Sequence, residues 1–78
     1  MLILKKDGSK EKFDKEKIKR ACLNAGTAPD VAETVANEVE KLAYEGMATE
    51  EIRILILSRL RKVDPPCVAK WLDYEKNK

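Results

Sequence analysis

The chain has 78 residues, of which 44% are hydrophobic and 38% are charged. This length accommodates one domain with a small core, and the apolar fraction is too high for a disordered chain. The formal net charge is only +2, so a polyanion has to be met by a local cluster of basic side chains. These totals exclude a disordered chain, argue against two domains, and predict a single globular domain over residues 1–78.

No apolar run of about 18 residues and no signal-like start occur in the sequence, so we expect a cytoplasmic protein without a membrane span. Cys22 and Cys67 lack metal-ligand spacing, and no histidine is available to complete a zinc site. Both are predicted to be small buried hydrophobic side chains. Abundant lysine and glutamate without glutamine is typical of heat-adapted proteins. In the cytosol of a heat-adapted organism, a disulfide between Cys22 and Cys67 would persist.

The first predicted element is a β-hairpin. Runs 2–6 and 10–13 flank Asp7-Gly8-Ser9, and an Asp-Gly pair favours a tight turn because glycine accepts a positive φ. A two-stranded hairpin is barely stable alone in water, so we expect it to lie across the helices. The side chains buried by that packing are expected to be Leu2, Leu4 and Phe13, or Ile3.

Two helices are predicted next along the chain. The first covers about residues 15–25, with Asp14 as its cap and Gly26 as the left-handed residue after its end. The second begins after a capping-box-like Thr27 and ends at Gly46. Apolar residues recur at helical spacing in both.

The third predicted helix runs from a Thr49 cap to about Lys62, and Asp64 with Pro65 opens the fourth. Connections this short are typical of antiparallel neighbours in a small bundle. The predicted fold class is therefore α+β and mostly α, a four-helix bundle capped by a small β-sheet. The core face of the third helix is predicted to consist of Ile52, Leu55, Ile56, Leu60 and Val63.

Catalysis is not expected from these residues. The sequence has no histidine, no Cys/His pair, no carboxylate cluster with metal-ligand spacing and no serine beside an evident base. Gly8-Ser9-Lys10 is not a Walker loop, because it lacks the upstream glycine and the Gly-Lys-Ser/Thr ending. We therefore predict no catalytic residue and no metal ligand.

An anion has another place to bind. The free backbone N–H groups at the starts of the first and third helices favour negative charge, and basic side chains lie close by in sequence. In a regular strand Lys5 and Lys6 point to opposite faces, so both reach one ligand only at a twist or bulge. On the residues alone such a turn is more often exposed and solvated, and that alternative stays open. The basic residues concerned are Lys5, Lys6, Lys17 and Arg53.

Three stretches together resemble one family. They are ILKKDGSKEKFDKEKI at 3–18, GMATEEI at 46–52 and the aromatic, lysine-ending last helix. This set is similar to the ATP-cone domain, the nucleotide-sensing module of many ribonucleotide reductase large subunits and of the bacterial repressor of their genes. The resemblance covers nearly the entire chain. It implies a third short strand at 47–48 and ATP or dATP as the ligand, with magnesium as a candidate companion.

The resemblance also implies a binding site. Ile3 and Ile18 would sandwich the adenine, nearby polar side chains would meet its edge, and Thr49 would assist basic side chains that hold the phosphates. Lysine at position 6 replaces a common arginine and cannot make its bidentate fork with phosphate, while Arg53 stands where some members carry histidine. The implied nucleotide-binding residues are Ile3, Lys5, Lys6, Glu11, Asp14, Lys17, Ile18, Thr49 and Arg53, with Lys76 or Lys78 closing the site from the last helix.

The implied function is regulatory nucleotide sensing. The 78 residues contain no reductase barrel, no radical-bearing glycine loop and no four-cysteine ribbon. We therefore expect a sensor that acts in trans on a ribonucleotide reductase or a transcription regulator, or a helical adaptor or remnant that has lost nucleotide binding.

A small basic nucleic-acid-binding module is the other alternative. Acidic residues interrupt its basic run, and aromatic residues, which would stack on bases, are only 5% of the chain. Nucleic acid is therefore not the expected partner. The basic run consists of Lys10, Lys12, Lys15, Lys17, Lys19 and Arg20.

Ile54 and Leu57 lie off the predicted core face of the third helix. They form either a homodimer or protein-partner interface, or part of a helix that is buried on all sides. Both interpretations stay open at this level.

Overall fold

A computed structural model describes residues 1–77. Four helices and a two-stranded antiparallel sheet confirm the mostly helical α+β class. Within residues 1–77, every helix is too short or too polar to cross a bilayer. The elements in chain order are β1 Leu2–Leu4, β2 Lys10–Lys12, α1 Lys15–Asn24, α2 Pro29–Leu42, α3 Thr49–Val63 and α4 Pro66–Lys76.

The hairpin packs one of its faces on the helices. Ile3 pairs with Glu11 across the two strands, and its side chain is buried. Leu2 and Leu4 point to the other face, as strand alternation requires, and remain 40% and 39% exposed. Their predicted burial is therefore wrong, and the Ile3 alternative is correct, with Phe13 half-buried beside it.

The predicted turn joins the strands. Gly8 has a φ of 89°, which an L side chain rarely adopts. The Asp7 carboxylate accepts hydrogen bonds from the Ser9 N–H at 2.9 Å and the Ser9 hydroxyl at 2.6 Å, and these bonds lower the pKa of Asp7. Lys6 lies within this turn rather than in a strand.

The third strand implied by the resemblance does not form; in its place one isolated parallel bridge joins Leu4 and Ala48. The Leu4 N–H donates to the Met47 carbonyl at 2.9 Å, and the Gly46 N–H donates to the Leu2 carbonyl at 2.8 Å. Because α3 begins at the next residue, the bridge cannot extend further. β1 thus pairs with β2 along one edge and is hydrogen-bonded to residues 46–48 along the other.

One of the four predicted N-cap residues is correct and three are wrong. The Asp14 carboxylate accepts from the Glu16 N–H at 3.0 Å and caps α1. The N-cap residues of α2 and α3 are Ala28 and Ala48, without side-chain hydrogen bonds. Thr27 is instead buried, with its hydroxyl beside the Cys67 thiol.

Two predicted helix boundaries also move. α2 ends at Leu42 rather than Gly46, because residues 44–46 turn back to reach β1. α4 begins at Pro66 with Pro65 as its N-cap residue, while Asp64 ends α3. The Asp64 carboxylate accepts a hydrogen bond from the Cys67 thiol at 3.0 Å.

The core lies where the four helices meet beneath the hairpin. Cys22 and Cys67 are buried, as predicted, and both are free thiols rather than a disulfide; burial raises the pKa of Cys22 to about 11. Leu55 is half-buried, whereas Val63 is 41% exposed because the last turn of α3 extends beyond the core. Its predicted core position is wrong. The largest fully buried side chains are Leu60, Val35, Val39, Cys22 and Cys67.

Leu60→Ala is expected to lower the free energy of unfolding by about 2 to 5 kcal/mol, because it removes buried contacts and leaves a cavity. Val63→Ala, a deletion three residues further along the same helix, should cost much less because its side chain is already in solvent. Urea denaturation monitored by circular dichroism measures both. Equal losses in the two variants would contradict the observed core.

Candidate functional site

A small apolar hollow lies between the hairpin and the starts of α1 and α3. Its volume is about 90 Å³, and it shares its rim with a wider depression of about 400 Å³ on the protein surface. Ile3, Ile18 and Ile52 bring one side chain each from β1, α1 and α3. The residues common to both spaces are Glu11, Lys12, Phe13, Asp14 and Lys17.

Local periodicity explains why these side chains meet. Ile3 and Lys5 alternate with Leu4 along the chain, so they point to the face on which Glu11 lies in β2. Lys17 and Ile18 follow Asp14 by three and four residues, the spacing that places side chains on one side of a helix. The hairpin and the first turn of α1 therefore converge on one hollow.

Glu11 holds two lysines at the rim. Its Oε1 is 2.9 Å from the Lys17 Nζ, and its Oε2 is 3.4 Å from the Lys5 Nζ. The hydrogen bond from Lys17 lowers the pKa of Glu11 and raises the pKa of Lys17. Two ammonium groups around one carboxylate leave a net positive charge beside the apolar hollow.

The two helix starts near the site differ. At α1, the Asp14 carboxylate already accepts from a first-turn N–H group, so an incoming anion would compete with it. At α3, no side chain caps the helix. The bridge between Leu4 and Ala48 runs parallel, so Lys5 and Thr49 leave it side by side. The uncapped helix start therefore lies next to Lys5.

Arg53, one turn after Thr49, is held by α4. Its Nε is 2.8 Å from the Glu75 Oε2, and its Nη2 is 2.9 Å from the Glu75 Oε1. Its Nη1 also donates to Glu50 at 3.2 Å. The bonds to Glu75 raise the pKa of Arg53. Arg53 is thus paired with carboxylates of α3 and α4 and not with the group around Glu11.

Two further candidates lie at the edge of this region. Lys6 is exposed in the hairpin turn, and Lys76 is the last residue of α4. Neither makes a hydrogen bond or ion pair with another side chain within residues 1–77. Lys78, the alternative to Lys76, lies outside the described residues.

The sequence-based interpretation missed three contributors. Phe13 and Ile52 line the hollow, although the sequence analysis assigns both only to packing. The available signal was their position in the sequence, next to Asp14 and Arg53 respectively. Glu75 was missed because nothing in the sequence reports how α3 and α4 align. In the part of the chain that the structure describes, no three His, Cys, Asp or Glu residues are grouped to hold a metal ion.

A helical bundle with a small sheet that surrounds an apolar hollow with basic groups suits a domain that binds an anionic organic ligand. The family model for the ATP cone domain matches residues 1–78. The chain belongs to the ATP-cone family. Domains of this family are nucleotide-sensing regulatory modules that bind ATP or dATP as effectors, which points to a regulatory rather than a catalytic role.

The chain is also similar to the transcriptional repressor NrdR from several bacteria. It is 38% identical over 72 residues to the protein of Thermotoga neapolitana, 36% over 72 residues to that of Carboxydothermus hydrogenoformans and 32% over 72 residues to that of Clostridioides difficile. Each match covers 82% of this chain and 46% or 47% of the relative.

The chain therefore spans about half the length of the curated relatives it matches. No solved structure matches it. Because these relatives are named as transcriptional repressors, the comparisons give no support to the expectation that nucleic acid is not a partner.

The ion pairs of Glu11 predict a pH-dependent contribution to stability. A carboxyl group whose pKa is lowered by folding stabilises the fold above its unfolded pKa and loses that contribution as the pH falls through its folded pKa. Glu11→Gln should therefore lower the melting temperature at about pH 7 and leave it equal to that of the wild type at about pH 2.

Thermal melts followed by circular dichroism measure this difference. Glu33→Gln is the matched control, since Glu33 is exposed and makes no ion pair within residues 1–77. Its melting temperature should equal that of the wild type at both pH values. If the melting temperature of Glu11→Gln is still below that of the wild type at about pH 2, the ion pairs are not the cause of the difference.

Proposed function

We propose that this chain binds ATP or dATP between the hairpin, α1 and the start of α3, and serves as the cytoplasmic nucleotide sensor of a ribonucleotide reductase or a transcription regulator. The observation that carries the proposal is the pairing of Lys5 and Lys17 through Glu11 at the mouth of an apolar hollow. Membership of the ATP-cone family supports the same ligand class.

The hollow and its rim suit an adenine base. Ile3 and Ile18 offer apolar contact to the faces of a flat ring, and the outer depression of about 400 Å³ lies within the usual size range of ligand sites, about 300 to 1,000 Å³. The carboxylates of Glu11 and Asp14 accept hydrogen bonds only. They favour adenine, whose edge carries an amino donor, over guanine, which presents an oxygen acceptor at that position.

The phosphates bind toward the start of α3 in this proposal. Lys5, Lys6 and Arg53 supply positive charge, Thr49 supplies a hydroxyl, and the uncapped helix start supplies backbone N–H groups. Each charge-assisted hydrogen bond contributes about 1.5 to 3 kcal/mol, so three or four approach the roughly 8 kcal/mol of micromolar binding. Lys76 closes the site from α4. Magnesium would arrive on the phosphates, as is usual for this ion.

Arg53 has to change partners in order to hold a phosphate. Its hydrogen bonds to Glu75 tie α3 to α4, and a phosphate offers the guanidinium a bidentate acceptor as well. Transfer of Arg53 from Glu75 to the nucleotide would loosen the end of α4. This exchange gives the sensor a way to convert binding into a change at a distant surface.

The first test is isothermal titration of ATP, dATP, ADP and GTP into the purified chain. ATP or dATP should bind, and GTP should bind more weakly. Lys5→Ala should weaken ATP binding by about tenfold or more, since a charge-assisted bond of about 1.5 to 3 kcal/mol is lost. Glu11→Ala should reduce the preference for ATP over GTP.

Lys10→Ala is the matched control for this titration. Lys10 lies in the same hairpin but pairs with Leu4 on the opposite face, so its removal should leave affinity nearly unchanged. Absence of both binding heat and a thermal upshift at millimolar ATP would refute nucleotide binding. A salt-dependent DNA shift that ignores ATP would indicate a nucleic-acid-binding module instead.

The second test concerns the partner exchange of Arg53. Glu75→Gln should tighten ATP binding several-fold, because Arg53 no longer has to leave a carboxylate. Trp71, the single tryptophan of the chain, is buried on α4 and reports its displacement. ATP should change Trp71 emission in the wild type, and Glu75→Gln should resemble the bound form without ATP. Glu33→Gln should behave as the wild type; equal ATP affinities for all three proteins would rule out the exchange.

A further inference from the structure

The side of the hairpin that points away from the helices combines two exposed leucines with two lysines. Leu2 pairs with Lys12 and Leu4 pairs with Lys10 across the two strands, so each leucine has a lysine as its cross-strand neighbour on the same face. The leucines are 40% and 39% exposed, and both lysines are exposed. We call these four side chains the outer hairpin face.

A hollow beside this face can receive an apolar side chain. It has a volume of about 230 Å³ and lies between the two leucines and the segment before α3. The Leu2 N–H donates to the Glu45 carboxylate at 3.0 Å, and the Gly46 N–H donates to the Leu2 carbonyl at 2.8 Å. These bonds hold the walls of the hollow in place. The residues that line it are Leu2, Ile3, Leu4, Lys10, Glu45 and Gly46.

The charge of the outer hairpin face selects an acidic partner. Lys10 and Lys12 make no ion pair and no side-chain hydrogen bond within residues 1–77. The Glu45 carboxylate already accepts a backbone N–H group, and the Asp7 carboxylate, at the tip of the hairpin, accepts from its own turn. Two ammonium groups therefore remain available, and acidic side chains beside an apolar contact would pair with them.

The exposed apolar side chain of α3 has a different setting. Ile54 is 56% exposed, so the interpretation of α3 as buried on all sides is wrong, whereas Leu57 is half-buried. Glu50 and Arg61 lie on the same side of the helix as Ile54 and carry opposite charges. The predicted interface at Ile54 and Leu57 stays a prediction. The outer hairpin face instead joins two apolar side chains to unpaired charge of one sign.

We propose that the outer hairpin face binds an acidic amphipathic helix of a partner protein. Leu2 and Leu4 are about 6.6 Å apart along the strand, close to the pitch of an α-helix, about 5.4 Å. Apolar side chains one turn apart can therefore contact both leucines and enter the hollow, while acidic residues beside them face Lys10 and Lys12. An added strand is a poorer occupant, because β2 offers an edge of only three residues with lysine at both ends.

This contact is weak and separate from the proposed nucleotide site. Two leucines and two lysine side chains fall short of the roughly 1,000 Å² that stable interfaces bury, so the partner binds transiently. Ile3 and Glu11, which the nucleotide proposal uses, pair with each other on the inner face of the same strands. The partner site therefore does not depend on the nucleotide site.

Fluorescence anisotropy with a labelled synthetic peptide tests the proposal in the absence of nucleotide. The peptide is held helical by a lactam bridge and carries leucines one turn apart with glutamates beside them. A second peptide has lysine in place of each glutamate. The wild type should bind the first peptide, and it should bind the second at least about tenfold more weakly, because like charges then meet at Lys10 and Lys12.

Two variants locate the contact on the outer hairpin face. Lys10→Glu should weaken binding of the glutamate peptide about tenfold and strengthen binding of the lysine peptide, because the charge is reversed. Leu4→Ala should weaken binding of the glutamate peptide several-fold, since apolar contact is lost. Lys62→Glu makes the same charge change at an exposed position in the last turn of α3 and should leave peptide binding unchanged. Circular dichroism melts should show that all three variants fold.

Three outcomes overturn the proposal: a wild type that does not bind the glutamate peptide at millimolar protein, equal affinities for the two peptides, or an affinity that Lys10→Glu leaves unchanged. Cosedimentation with phosphatidylglycerol vesicles is the last measurement. Binding to these vesicles without binding to the peptide would make a membrane surface the occupant instead. A protein that binds ATP by calorimetry but not the peptide would refute the partner site and leave the nucleotide proposal intact.

Discussion

The hydrogen bonds that fasten β1 to the segment before α3 are the constraint on which the site depends. A hairpin of two three-residue strands has too little buried surface to hold its place. The bonds from Leu4 to Met47 and from Gly46 to Leu2 give β1 hydrogen-bonded neighbours along both edges, and Ile3 then anchors it on the helices. The same bonds bring Lys5 beside the start of α3, so the attachment that stabilises the hairpin also assembles the basic rim.

The ion pairs of Glu11 contribute more to arrangement than to stability. The side chains of Lys5 and Lys17 are 49% and 63% exposed, and ion pairs this accessible to water contribute little to stability. Before any ligand binds, the Glu11 carboxylate holds the two ammonium groups near the opening of the hollow. An arriving nucleotide therefore meets charges that are already close together, which reduces the ordering cost of binding.

Features encoded by neighbouring residues were predictable from the sequence, whereas features that depend on tertiary contacts were not. The turn at Gly8 and the Asp14 cap follow from local chemistry. The Thr49 cap fails by one residue, because Thr49 is already the first residue of α3 and the extended Ala48, which bridges to Leu4, takes the N-cap position. Thr27 fails as a cap because its side chain is buried. Resemblance and alternation predict Lys5, Glu11 and Ile18 as site residues, and the structure brings these three together at one hollow. The partner of Arg53 was not predictable, because it depends on how α4 lies against α3.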